Sequence, residues 1–82
     1  MVVQVLLFGP QARLVGSPSL PVEILEDRIT AARVLATLAE SVPQLAASLP
    51  ASRLAVNHEF AESHTPIKPG DEVALIGMVS GG

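Results

Sequence analysis

VVQVLLF, at residues 2–8, is a nearly continuous run of strand-forming residues, and it decides the fold of this 82-residue chain. Only Gln4 interrupts its apolar character. Such a run predicts a strand covered on both faces for much of its length, as in the middle of a sheet. Gly9-Pro10 then ends the strand. Residues 73–76 form the other strongly apolar strand, so we expect the two strands to be neighbours at the centre of the sheet.

One main helix is predicted between these strands. Thr30 can begin it by accepting a hydrogen bond from a backbone N–H of the first turn, and Pro43 should end it near Val42. A loose further turn is expected at residues 44–49. Apolar side chains recur every three or four residues and form one stripe, which consists of Leu35, Leu38, Val42 and Leu45.

Shorter strands and loops complete the predicted fold. Residues 11–19 are expected to form a loop, and Pro21 favours an edge position for a strand at residues 20–25. The other predicted elements are a strand at residues 54–56, a turn at Asn57-His58 with a short strand after it left open, and a series of turns at residues 66–72.

Together these elements predict an α+β fold, in which one main helix packs on one face of a mixed sheet. We expect a single domain, residues 1–82, with a flexible tail at residues 77–82. One helix leaves one face of the first strand uncovered, and an exposed apolar face usually binds a partner unless loops or the tail base cover it. The sequence leaves open which side chains face the helix: Val3, Val5 and Leu7, or else Gln4, Leu6 and Phe8.

Composition excludes several classes of function. The chain has no cysteine, which excludes disulfides, thiolate metal sites and thiol nucleophiles. Its net charge is −3, its five basic side chains are scattered and only two residues are aromatic, so nucleic-acid binding is not expected. No apolar run is long enough to span a membrane, and the N-terminus lacks the basic region of a signal peptide. We therefore expect a cytoplasmic protein.

The sequence contains no convincing enzyme site. His58 and His64 are the only histidines, and Glu59 and Glu62 lie near them. The histidine spacing crosses a predicted turn and gives no shared helical face, which favours solvated loop residues over a metal site. The serines form no nucleophile elbow and the glycines no phosphate-binding loop. We therefore expect no bound metal or cofactor and no active site within the domain.

The C-terminal segment Met78-Val79-Ser80-Gly81-Gly82 is the remaining candidate. Two terminal glycines have no side chain to pack and lose much backbone freedom when they are ordered, so by themselves they indicate a frayed end. The same lack of side chains makes a strand thin enough to enter a narrow channel and to present its carboxylate to another protein.

Over essentially its whole length, the chain resembles the small subunits of molybdopterin synthase, a family of ubiquitin-like sulfur carriers with the β-grasp fold. The matching segments occur in the same order as in that family: the first strand, an arginine-containing loop up to Gly16, a capped helix, Leu54-Ala55-Val56-Asn57, Pro66-Ile67, Gly70-Asp71-Glu72-Val73-Ala74 and Val79-Ser80-Gly81-Gly82. Two positions depart from the pattern. Gly77-Met78 stands where the family often has Pro-Pro, and Arg13-Leu14 where it often has Arg-Glu.

The resemblance implies a function for the tail. A ubiquitin-activating-type adenylyltransferase would consume ATP to convert the Gly82 carboxylate into an acyl adenylate. Sulfur relayed from a persulfide donor or sulfurtransferase would then convert it into a thiocarboxylate. The large synthase subunit would accept the tail, and the sulfur would pass to the cyclic pyranopterin precursor of the molybdenum cofactor. The residues expected to contact this partner are Gly81, Ser80, Val79, Met78, Phe8 and Leu6.

Two alternatives remain open. Related β-grasp carriers supply sulfur for thiamine thiazole synthesis or transfer-RNA thiolation, and they share the Gly-Gly end. A ubiquitin-like interaction module, in contrast, would bind partners without an activated tail.

Overall fold

In a computed structural model, which describes residues 1–78, helices pack on one face of a five-stranded mixed sheet. The elements are β1 (Val2–Leu6), α1 (Gly9–Val15), β2 (Ser19–Glu23), β3 (Ile29–Thr30), α2 (Ala31–Ser41), α3 (Pro43–Ala46), a 3₁₀ turn (Leu49–Ala51), β4 (Ser52–Val56), β5 (Glu59–Phe60), β6 (Pro66–Ile67) and β7 (Val73–Gly77). The sheet order is β2-β1-β7-β4-β5, and β3 pairs with β6 in a separate two-stranded ladder.

The two most apolar strands are neighbours, as predicted. β1 runs parallel to β7, with Val5 opposite Val73, and antiparallel to β2. β7 occupies the centre of the sheet and β2 lies at its edge. The edge position predicted from Pro21 is therefore confirmed, because an edge strand tolerates a residue that has no backbone N–H.

β1 is covered on one face, and the prediction that both faces are covered is wrong. Val3, Val5 and Leu7 are buried, whereas Gln4 and Phe8 are exposed. This alternation arises because all helical cover lies on one side of the sheet. The structure therefore resolves the open alternative: Val3, Val5 and Leu7 face the helices. The core that they enter also contains Val22, Ile24, Ile29, Val34, Leu38, Leu45, Leu54, Ile67, Val73 and Leu75.

The main helix has the predicted limits. The Arg33 N–H donates to the Thr30 hydroxyl oxygen at 3.3 Å at its start, and its C-cap residue is Val42. Pro43 does more than end α2, because it also begins α3, where only a loose turn was expected. Of the predicted stripe, Leu38 and Leu45 are fully buried and the other two side chains are half-buried.

The loop predicted at residues 11–19 is wrong, since α1 occupies most of it. Pro10 lies in the first turn of α1, where its missing N–H removes no helical bond. Gly16 ends the helix with φ +82°, a conformation that glycine adopts without strain. The turn at Asn57-His58 is confirmed, with φ values of +52° and +71°, and it joins β4 to the short strand β5.

Candidate functional site

Backbone hydrogen bonds hold the last residues of β7 and the residue after them against the start of β4. Gly77 lies in β7 opposite Ser52, and the Met78 N–H donates to the Ala51 carbonyl at 2.8 Å. The sequence places the start of the tail at Gly77, whereas the structure keeps Gly77 in the sheet. The other predicted tail residues are Val79, Ser80, Gly81 and Gly82, which lie outside the described residues.

An apolar surface, which we call the open face, covers the side of the sheet away from the helices. Phe8 and Phe60 stand at its edges and are 55% and 50% exposed. Between them lies a shallow concavity of about 330 Å³, lined also by Ala55, His58, Glu72, Ala74 and Ile76. The half-buried Leu6 belongs to this face by the alternation of β1. The structure therefore places both predicted contacts, Leu6 and Phe8, on one exposed apolar surface.

Charged groups lie around the open face. The Arg53 guanidinium carbon is 4.7 Å from the centre of the Phe60 ring, within the range of a cation–π interaction. In the lining of the concavity, His58 Nε2 lies 3.2 Å from a Glu72 carboxylate oxygen. An apolar centre with a charged rim is the usual composition of a protein–protein interface.

A second concavity, of about 430 Å³, lies beside the end of β7 and is called the tail-base groove. It is formed by the first turn of α1, the chain before β4 and the last residues of β7. Phe8 and Ile76 line both this groove and the open face, so the two surfaces are continuous. The full lining is Phe8, Gly9, Pro10, Gln11, Ser48, Ala51, Ser52, Ile76, Gly77 and Met78.

Gln11 contributes a buried amide to this groove. It is 7% exposed, and among residues 1–78 it is the buried polar side chain of the core. Its Nε2 donates to the hydroxyls of Ser48 and Ser52. The sequence pattern does not indicate Gln11, because it predicts a loop at residues 11–19. The signal that could have found it is the combination of Pro10 inside the start and Gly16 just past the end of a short helix.

The turn before β7 is braced by Asp71. Its carboxylate accepts from the Lys68 backbone N–H at 2.8 Å and from the Asn57 side-chain amide at 3.0 Å. These two bonds lower the pKa of Asp71 below its ordinary value of 3.8, and the nearby charge of Lys68 adds to the effect. The Asn57 side-chain oxygen Oδ1 in turn accepts from the Glu72 backbone N–H. The β4–β5 turn and the start of β7 are thus tied together.

His58 and His64 line different concavities, so the structure does not bring the two histidines into one site. No group of three or more potential metal ligands occurs among residues 1–78. In the same part of the chain, no helix is both long enough and apolar enough to cross a membrane.

One helical layer on a mixed sheet, with parallel β1 and β7 at its centre, defines the β-grasp fold of ubiquitin-like proteins. A sequence model described as the ThiS family matches residues 5–82, and the chain belongs to this family. The molybdopterin synthase sulfur carrier subunit of Dictyostelium discoideum is 33% identical over 81 residues, which cover 96% of this chain and 94% of that protein.

Solved structures agree with this fold. SAMP1 from Haloferax volcanii superimposes with a TM-score of 0.80 at 25% identity, and the match covers all of both chains. A chain from the complex of subunits 1 and 2 of the molybdopterin-converting factor of Helicobacter pylori matches with a TM-score of 0.67 at 24% identity, again over all of both chains.

Proposed function

We propose that this protein is the sulfur-carrier subunit of a molybdopterin synthase and that its reactive group is the C-terminal carboxylate of Gly82. The observation that supports this most strongly is the whole-length similarity to the Dictyostelium sulfur carrier subunit. The family match also extends through Gly81 and Gly82, so the tail is part of the shared sequence.

The proposed chemistry begins with activation of the carboxylate. A Gly82 oxygen attacks the α-phosphorus of ATP on a ubiquitin-activating-type adenylyltransferase, pyrophosphate leaves, and an acyl adenylate forms. The terminal sulfur of a persulfide then attacks the carbonyl carbon and AMP leaves. Reduction of the resulting acyl disulfide by a second thiol leaves the thiocarboxylate. AMP is needed because a carboxylate alone has no adequate leaving group.

Transfer takes place on the large synthase subunit. The thiocarboxylate sulfur attacks a carbon of the cyclic pyranopterin precursor and displaces an oxygen substituent from it, and hydrolysis of the acyl–sulfur bond by water then returns the Gly82 carboxylate and leaves the sulfur on the precursor. Two such transfers build the dithiolene that holds molybdenum. In this scheme the small subunit is a co-substrate that is regenerated in each cycle, and it holds no cofactor of its own.

The open face is the proposed docking surface for the large subunit. It adjoins the tail-base groove, so a partner seated on it is next to the point where the chain leaves the sheet. Phe8 lines both concavities and is more than half exposed, which makes it the best candidate for an aromatic anchor. Leu6 is its neighbour on β1, and Met78 is the last described residue before the tail.

Mass spectrometry of the protein purified from its own host tests the chemistry. We expect a fraction that is heavier than the unmodified chain by the difference between one sulfur and one oxygen atom, located on Gly82. Deletion of Gly82 should abolish sulfur transfer and leave partner binding largely intact. Normal cofactor synthesis by the shortened protein would refute the carrier function.

A carrier for a different sulfur pathway is the second candidate, because the matching sequence model is described as the ThiS family and does not name molybdopterin synthase. Removal of the gene separates the two. Loss of molybdoenzyme activity alone supports the first proposal, whereas a thiamine requirement or loss of thiolated transfer RNA supports the second. A chain that binds its partners but never acquires the sulfur mass would instead be an interaction module.

A further inference from the structure

Gln11 connects the segments from which the tail emerges. Its Nε2 donates to the Ser48 hydroxyl at 3.1 Å and to the Ser52 hydroxyl at 2.9 Å. The Ser48 hydroxyl donates its own proton to the Leu45 carbonyl, and the Ser52 hydroxyl donates to the Ser48 carbonyl. Because both hydroxyl protons are already donated, the two hydroxyl oxygens can only accept a hydrogen bond from Gln11. This fixes the orientation of the Gln11 amide, with its nitrogen toward the serines.

The other side of the amide faces the tail base. A Cβ built on Gly77 would lie 3.5 Å from Gln11 Oε1 and 3.7 Å from its Cδ, so the Gly77 backbone packs beside the amide. Gly77 pairs with Ser52 across the sheet, and Met78 donates to the Ala51 carbonyl. One side chain thus contacts both strands of the last β4–β7 pair.

We propose that Gln11 is a positioning residue that sets the direction in which the chain leaves the sheet after Met78. The inference rests on the proposed sulfur-carrier function. A carboxylate that must react in another protein's active site does so only from a narrow range of positions. Packing alone would be served better by an apolar side chain, because a buried amide carries a desolvation cost. The directional bonds of the amide join α1 to Ser48 and to Ser52 at the start of β4, and the oxygen side of the same amide packs against the end of β7.

The experiment replaces Gln11 with methionine, which keeps the length of the side chain and removes its hydrogen bonds. The first readout is ATP–pyrophosphate exchange with the cognate adenylyltransferase. We expect kcat to fall roughly tenfold or more, while the KM for the carrier protein stays unchanged. The variant still docks on the adenylyltransferase, but its C-terminal carboxylate is positioned less accurately. The second readout is amide hydrogen exchange, which should quicken at Met78 but not at Leu75 in the middle of β7.

The matched control is Val34→Ala, which removes buried methyl groups from α2, away from the tail-base groove. Both variants are measured at temperatures equally far below their own Tm values. If Gln11 contributes to stability alone, the two variants should have the same kcat and the same rate of amide hydrogen exchange at Met78. This result would overturn the inference. If Gln11→Met does not fold, Ser52→Ala takes its place, because it keeps the bond from Gln11 to Ser48 and removes the bond from Gln11 to Ser52 together with the bond from the Ser52 hydroxyl to the Ser48 carbonyl.

The two proposals can fail separately. Amide hydrogen exchange at Met78 is measured on the protein without a partner. It therefore tests the positioning role of Gln11 even if deletion of Gly82 shows that the tail carries no sulfur. Sulfur transfer that depends on Gly82 but is insensitive to Gln11→Met and Ser52→Ala refutes the positioning role alone.

Discussion

Phe8 is the residue at which the surface and the tail base meet, because it lines both the open face and the tail-base groove. Its Cα lies at the junction of β1 and α1, and its side chain remains 55% exposed. A solvent-exposed aromatic ring beside the tail-base groove is better explained by partner binding than by folding.

A charge at this position should therefore weaken partner binding more than folding. Phe8→Glu is expected to lower the affinity for the large synthase subunit roughly tenfold or more, as for an interface anchor. Leu14→Glu is the matched control, since Leu14 is 56% exposed and lies on α1 outside both concavities. Isothermal titration calorimetry checks the affinities, and thermal unfolding checks the fold. Equal affinities for the two variants would place the interface elsewhere.

Asp71 should give the fold a pH dependence in the acidic range. Its pKa is lowered in the folded protein by the hydrogen bonds from Lys68 and Asn57, so its stabilising effect is present above the unfolded-state pKa. That effect is lost as the pH falls through the lower folded-state pKa. Asp71→Asn is expected to lower Tm at pH 7, and the difference from the wild type should shrink below the ordinary pKa of 3.8. Thermal melts across this range check it, and a difference that is independent of pH would contradict it.

At the scale of elements, the two threonines of α2 and its cap show that the contribution of a threonine hydroxyl to stability depends on its position in the helix. The Thr30 hydroxyl accepts a backbone N–H at the start of the helix, whereas the Thr37 hydroxyl donates to the Arg33 carbonyl within it. The cap supplies an acceptor to a backbone N–H that otherwise has no helical partner. The mid-helix hydroxyl instead donates to a carbonyl that already accepts a backbone hydrogen bond of the helix, so it satisfies no unpaired group.

Substitution by alanine should therefore destabilise the protein at Thr30 but not at Thr37. Thr30→Ala is expected to cost about 1 kcal/mol of unfolding free energy, the usual value of an N-cap. Thr37→Ala is expected to be neutral or to stabilise by up to about 0.5 kcal/mol, because alanine has the higher helix propensity. Urea denaturation of both variants measures the difference. Equal losses would show that the Thr30 cap contributes nothing specific.

The apolar periodicity of α2 is detectable in the sequence and that of α1 is not, because α1 is short. α2 carries a cap, a proline stop and an apolar stripe over three turns. α1 has seven residues, no side-chain cap and one buried polar side chain, so its periodicity is too short to detect. It is stabilised by tertiary contacts of Ala12 and Val15 with the core.

At the scale of the whole molecule, folding and the proposed chemistry use different parts of the chain. The buried core cluster extends from Val3 to Leu75, and the chain just after β7 is held by the hydrogen bond from the Met78 N–H to the Ala51 carbonyl. The proposed reactive atom belongs to Gly82, which lies beyond all of these.

Removal of residues 79–82 should consequently separate the two properties. We expect an unchanged Tm, because every described residue of the buried core cluster is kept, and complete loss of sulfur transfer, because the carboxylate is displaced to Met78. Calorimetry and a reconstituted transfer assay measure the two effects on one sample. A clear fall in Tm would show that the tail contributes to the fold.

The sequence by itself determined the fold class, the pairing of β1 with β7, the cap and end of α2, and the turn at Asn57-His58. The cap and end of α2 and the turn depend on proline and short polar side chains, whose effects act within a few residues. The pairing of β1 with β7 follows from their apolar content, because the two most apolar strands are the ones buried at the centre of the sheet. Only the tertiary structure decided which face of β1 is open and that Gln11 meets Ser48 and Ser52. Those serines lie 37 and 41 positions away along the chain, so no local pattern records the contact. It exists because packing of the helices on the sheet brings distant segments together around the end of β7.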